Sequence, residues 1–353
     1  MNLQNLSLLL LLAIFVTGGS AIWIAGIYLS KSTGILSKRL GLGDALGGMI
    51  LLAVVTNLPE IAIVVSASLQ NNIEMAVGNI LGGIAMQTLV LVVLDVFGTS
   101  KNSSLTYQSA SLPRALEALL VITTLTVVIL GHQLAPSLIF LRVTPAGLLI
   151  LIVWVVGLGL ISKAGKGLPW KALQHGASNK GDQNGDEKKS GKDDDKMSTA
   201  KAAGLFIITA VVTLVAGFAL ERSGDVISKK IGMSGVLFGA TLLAAATSLP
   251  EVSTGLASMK MKKYQLAVSD IFGGNAFLPV LFLLATLLTG KAVIPAAKST
   301  DIYLTTLAMI LTSVYVWGII FRPKRKILYM GIDSFIVLLV YAIGIAGLFT
   351  IAN

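Results

Sequence analysis

The chain has 353 residues, of which 55% are hydrophobic and only 12% charged, whereas soluble domains carry about 25% charged and about 45–50% apolar residues; a soluble globule is excluded and a polytopic membrane protein is indicated. The net charge of +10 does not mark a nucleic-acid binder, because the 27 Lys and Arg fall between apolar runs rather than on one amphipathic face. Cysteine is absent, which removes disulfides, thiolate metal sites and cysteine nucleophiles together.

A helix needs roughly 20 apolar residues to cross a bilayer core, and ten such runs follow one another. The first covers about residues 6–29; no Lys or Arg lies between Met1 and Ser20 to form the basic start of a signal peptide, so this run is expected to be a span. Further runs cover about 43–69, 73–97, 114–132 and 142–162. A polar stretch, 163–200, then separates them from runs at about 202–221, 234–259, 264–289, 302–321 and 328–351. Barrel strands would alternate with period two, which these runs do not, so every span is expected to be helical. Asp95, Glu117 and Asp333 lie near span ends, where interfacial positions are expected, and Trp23, Trp170 and Trp317 are expected to anchor span ends.

Short cytoplasmic loops retain Lys and Arg. The odd-numbered loops hold 20 of them and the even-numbered loops 6, which predicts both termini outside and the stretch 163–200 inside. That stretch is rich in Gly, Lys and Asp and reads as a disordered linker. Its run Asp193, Asp194, Asp195 lacks the spaced ligands and turn glycine of a calcium loop. His175 in the linker and His132 at a span end read as solvated side chains rather than metal ligands.

The linker divides the chain into an expected first five-helix unit, 1–162, and a second, 201–353. A constant offset of 191 residues aligns them. Thr56, Leu58, Pro59 and Glu60 fall on Thr247, Leu249, Pro250 and Glu251; Ala76, Gly82, Gly83 and Ala85 fall on Ala267, Gly273, Gly274 and Ala276; Ala25, Gly26 and Leu29 fall on Ala216, Gly217 and Leu220. Five is odd, so the second unit enters the membrane from the opposite side and the repeats are inverted, an architecture of many secondary transporters. The fold class expected is an all-α membrane protein of ten transmembrane helices in two inverted repeats.

Glu60 and Glu251 each lie well inside an apolar span, where a carboxylate is costly and points to function. The prolines before them cannot donate to the residue four back, which frees carbonyls around Val55 and Thr56 and around Ala246 and Thr247. Two carboxylates with freed carbonyls suit a hard cation such as calcium, which takes six to eight oxygens. In spans 3 and 8, Gly82, Gly83, Gly273 and Gly274 permit close helix approach. Asn79, Gly83 and Gln87 share one helical face, as do Asp270, Gly274 and Leu278, with Asn275 adding a neighbouring polar group. Asp270 is a third intramembrane carboxylate, a secondary ligand or proton carrier.

TNLPE (56–60) with GNILGG (78–83), and TSLPE (247–251) with SDIFGGN (269–275), resemble the two alpha repeats of the calcium/cation antiporter superfamily, best known as sodium/calcium exchangers. The resemblance covers both halves and implies four ion sites in a diamond at the membrane midplane. By motif position it implies that Glu60 and Glu251 are the central calcium and sodium ligands and that Thr56 and Thr247 are carbonyl donors. It also places Ala53, Asn57, Ala244 and Ser248 among the outer sodium-site ligands. The chain departs from the family where Gly-Ser-Asn and a following Asn or Asp are expected: Gly82, Gly83, Ile84 and Gln87 stand in the first repeat, and Gly273, Gly274, Asn275 and Leu278 in the second. Both hydroxyls and one polar ligand are lost, with Asp270 placed to compensate.

The expectation is therefore a secondary active antiporter of a prokaryotic plasma membrane, exchanging calcium against sodium. Alternatives are a proton-coupled cation exchanger, since a desolvated carboxylate holds a proton readily, an intramembrane hydrolase using paired carboxylates, and a passive channel. No enzyme activity and no cofactor are expected, calcium and sodium or protons being cargo. The expected partners are inorganic cations and the lipid bilayer, with neither nucleic acid nor an obligatory protein partner.

Overall fold

The computed structural model describes residues 3–39, 53–99, 103–166 and 197–352. Among these residues fifteen α-helices follow in order: α1 Leu8–Arg39, α2 Ala53–Thr56, α3 Leu58–Leu69, α4 Ile73–Gly98, α5 Leu105–Ser109, α6 Leu112–His132, α7 Pro145–Lys166, α8 Thr199–Lys230, α9 Gly235–Phe238, α10 Ala244–Thr247, α11 Leu249–Lys260, α12 Tyr264–Phe277, α13 Leu281–Thr289, α14 Ser299–Phe321 and α15 Ile332–Ala352. A π-helical turn, Gly239–Leu243, joins α9 to α10. Among the described residues nine segments are long and apolar enough to cross a membrane, and Leu58–Leu69 is a shorter apolar helix. That short helix is the end of the expected second span. The start of this span (43–52) and most of the expected linker (167–196), with Trp170, His175 and Asp193 to Asp195, lie outside the described residues.

The repeat is visible in the backbone. After α3, Asn71 takes a left-handed φ of 56° and the Asn72 N–H donates to the Ala67 carbonyl at 2.8 Å; after α11, Lys262 takes φ 60° and the Lys263 N–H donates to the Ser258 carbonyl at 2.9 Å. The two turns stand at the 191-residue offset. A second correspondence, at an offset of 187, lies beyond the sequence match. Phe140 pairs with Val143 around Leu141 and Arg142, and β1 Lys326–Ile327 pairs with β2 Met330–Gly331 around Leu328 and Tyr329. All four turn residues have positive φ, the geometry of a two-residue type I′ hairpin.

The two halves interlock at their kinks. Helix α1 packs along α8 and crosses α11, while α8 crosses α3. A Cβ at Gly26 of α1 would come within 2.9 Å of Pro250 Cβ, and one at Gly217 of α8 within 3.0 Å of the Pro59 carbonyl oxygen. Each long helix thus needs a glycine where the other repeat's proline lies against it. Both helices run past their expected ends, to Arg39 and Lys230. Helix α4 and the segment formed by α12 and α13 are the most enclosed spans. Helices α1, α7, α8 and α15 turn apolar side chains such as Val16, Val155, Val215 and Ile343 outward, as lipid contact requires.

The three carboxylates near span ends are covered by protein: Asp95, Glu117 and Asp333 are 0%, 1% and 4% exposed. Loops and neighbouring helices cover the ends of their spans. Asp95 accepts hydrogen bonds from the Leu105 N–H (2.8 Å), the Gly331 N–H (2.7 Å) and the Ser334 hydroxyl (2.8 Å), tying α4 to the β-hairpin and α15. Lys326 Nζ of that hairpin lies 3.9 Å from Asp95; its burial lowers its pKa from the ordinary lysine value, against the opposing pull of Asp95. Glu117 pairs with Arg114 at 2.8 Å and accepts from the Ser269 hydroxyl. The Asp333 carboxyl is packed against Gly318 and Gly331.

Candidate ion-binding site

Each half breaks its helix at the same place. Asn57 (φ −86°, ψ 15°) separates α2 from α3, and Ser248 (φ −79°, ψ 2°) separates α10 from α11. Both sit in the sparsely allowed bridge region, where many active-site residues are found. Proline follows one residue inside the new helix, where its missing N–H costs nothing. Glu60 and Glu251 thereby fall in the first turns of α3 and α11, where free N–H groups and the helix dipole favour negative charge.

Both glutamates are 0% exposed and meet at Gln87 of α4. Gln87 Nε2 donates toward Glu60 Oε1 at 3.3 Å, Glu251 Oε1 at 3.4 Å and Asn57 Oδ1 at 3.0 Å. Oε2 of each glutamate and Oε1 of Gln87 are buried without a hydrogen bond. The Thr247 hydroxyl, from the opposite repeat, stands near the Glu60 carboxyl. These donors are oxygen-rich, include two carboxylates and are sealed from water, which is the chemistry a hard cation takes.

Asp270 forms a separate cluster. Its Oδ2 accepts from the Thr254 hydroxyl at 2.7 Å and its Oδ1 from the Thr56 hydroxyl at 3.4 Å. Thr56 belongs to the first repeat and the other two residues to the second, so this cluster also bridges the halves. Among the described residues no group of three or more His, Cys, Asp and Glu side chains converges as a metal cluster. Any cation here therefore needs neutral oxygens beside the two glutamates.

The remaining expected residues are all buried and only some converge. The Ala53 carbonyl accepts from Asn57 Nδ2 at 2.6 Å and the Thr56 hydroxyl at 3.3 Å; the Ala244 carbonyl accepts from the Ser248 and Thr247 hydroxyls at 2.8 and 3.2 Å. Both carbonyls are thus engaged at the kinks. Asn79 is 0% exposed with neither amide atom bonded. Asn275 donates to the Thr88 hydroxyl at 3.0 Å, and its Oδ1 is unbonded. Thr254 and Thr88 were not singled out from the sequence. Their signal was positional: Thr254 stands three residues after Glu251 on one helical face, and Thr88 follows Gln87 directly.

A model of the sodium/calcium exchanger protein family matches residues 10–163 and 201–350. Inner membrane protein YrbG of Escherichia coli (strain K12) is 25% identical over 338 residues, covering 94% of this chain and 96% of that protein. The putative antiporter CaxA of Alkalimonas amylolytica is 26% identical over 330 residues, covering 86% and 90%. Among solved structures, the sodium-calcium exchanger NCX_Mj soaked with Na+ and Sr2+ superposes with a TM-score of 0.61 at 18% identity, covering 96% of this chain and 99% of that one. The last likeness speaks to fold alone, and it is the fold of an inverted-repeat transporter.

Proposed function

The chain belongs to the sodium/calcium exchanger protein family, a family of cation antiporters in membranes, and on that premise we propose that it exchanges calcium against sodium at Glu60 and Glu251. The observation that carries this reading is the meeting of two fully buried glutamates, one from each repeat, with an unbonded oxygen on each. A divalent cation balances their charge, and the kinks on either side let access alternate between the two membrane faces. Two desolvated carboxylates without a cation are too costly to reorient, which makes transport an exchange. The site is framed by units 1–162 and 201–353. Both termini face outward and the linker 163–200 faces the cytoplasm of a bacterial inner membrane, a placement supported by the lysine distribution and by the name of the Escherichia coli relative. The protein works without a cofactor or an obligatory protein partner.

A proton in place of sodium is the second reading. It is favoured by Gly83 and Gly274, which offer no side-chain oxygen where the family's serines are expected, while Asp270 stands close by with two hydroxyl partners. Calcium uptake into proteoliposomes separates the two. A sodium gradient drives uptake on the first reading, and a pH gradient alone drives it on the second; uptake that needs no counter-ion contradicts both.

A further inference from the structure

We infer that Gln87 competes with the transported cation for the two glutamates and thereby sets the affinity of the site. The inference rests on the reading of Glu60 and Glu251 as cation ligands. Three oxygens surround the Gln87 amide nitrogen, from Asn57, Glu60 and Glu251, at 3.0, 3.3 and 3.4 Å. An amide NH2 fits among acceptors; the reverse orientation would press its carbonyl oxygen against three others. A cation bound by Oε1 of both glutamates, at about 2.3–2.6 Å from each, draws on the same lone pairs that the N–H groups of this nitrogen face. N–H groups and a cation repel, so the amide must withdraw before the ion is bound.

The rest of the site accommodates this arrangement. A Cβ at Gly274 would come within 2.7 Å of Asn57 Nδ2 and 3.3 Å of Gln87 Oε1, so the bare backbone of α12 is what admits both amides. The position equivalent to Gln87 in the second repeat is Leu278, which has no donor. The competing amide therefore acts from one half only, and the two halves of the site differ in this respect.

The test is calcium titration calorimetry on the purified full-length protein in detergent. Gln87→Met keeps the length of the side chain and removes the N–H groups, and calcium binding is expected to tighten about tenfold, the scale of a hydrogen bond to a charged group. Gln87→Leu, which puts the residue of the equivalent second-repeat position 278 in its place, is expected to tighten binding in the same direction and serves if Gln87→Met does not fold. Weaker binding in these variants would make the amide a ligand, and unchanged binding with a lower melting temperature would make it a packing group; either overturns the inference. Glu60→Gln in the same titration is expected to abolish binding. Wild-type affinity in Glu60→Gln would overturn the assignment of the glutamates themselves, a failure distinguishable from that of the Gln87 inference.

Discussion

Glu60 and Glu251 each bury an oxygen without a hydrogen bond, a cost of about 1–3 kcal/mol per polar group and more for a charge. On the proposed function a bound cation removes that cost. Glu60→Gln or Glu251→Gln is expected to lower exchange more than about 100-fold, since outer-shell partners of metal ligands alone cost up to that factor, while circular dichroism stays unchanged; retained exchange would refute the assignment. Asp270→Asn tests the neighbouring cluster. It leaves the glutamates in place, so calcium binding is expected to persist while the dependence of uptake on the counter-ion changes, as read by uptake at varied sodium and pH. The glutamates were legible in the sequence because a carboxylate in an apolar run is conspicuous. The Thr254 partnership with Asp270 was not, because a threonine in a helix more often bonds its own backbone. The buried state of Asp95, Glu117 and Asp333 was hidden for another reason: position along a span says nothing of which loop or helix covers its end.

At the level of elements, the kinks are held by close packing between halves. Gly26 lies against Pro250 and Gly217 against Pro59, so a side chain at either would push a long helix off the break that positions a glutamate. Gly26→Val and Gly217→Val are each expected to cost about 1–3 kcal/mol as overpacked sites, seen as a lower melting temperature together with reduced exchange. Gly204→Val on the same helix as Gly217 meets nothing within 4 Å and is expected to change neither. Nine of the ten expected spans are found among the described residues, with Leu58–Leu69 the described end of the other, and the 191-residue repeat placed the prolines correctly. What hydropathy did not show is that α1 and α8 continue to Arg39 and Lys230, because polar residues beyond the apolar run extend a helix without making it more hydrophobic. The paired hairpins at Leu141 and Leu328 escaped too, since they follow a different offset and use non-glycine residues at positive φ.

For the whole molecule, inverted repeats require that equivalent turns face opposite sides of the membrane. Asn71 and Lys262 are equivalent, exposed and left-handed, and the chain has no cysteine, so single cysteines report without further engineering. An impermeant maleimide applied to intact cells is expected to label Asn71→Cys and to spare Lys262→Cys; labelling of both, or the reverse pattern, would contradict the proposed orientation. Exchange through the paired glutamates is tested by calcium uptake into proteoliposomes loaded with sodium, wild type beside Glu60→Gln. Rapid uptake is expected in the wild type, collapsing when the sodium gradient is dissipated and absent in the variant. Equal uptake by wild type and variant, or uptake indifferent to every imposed cation or proton gradient, would contradict it.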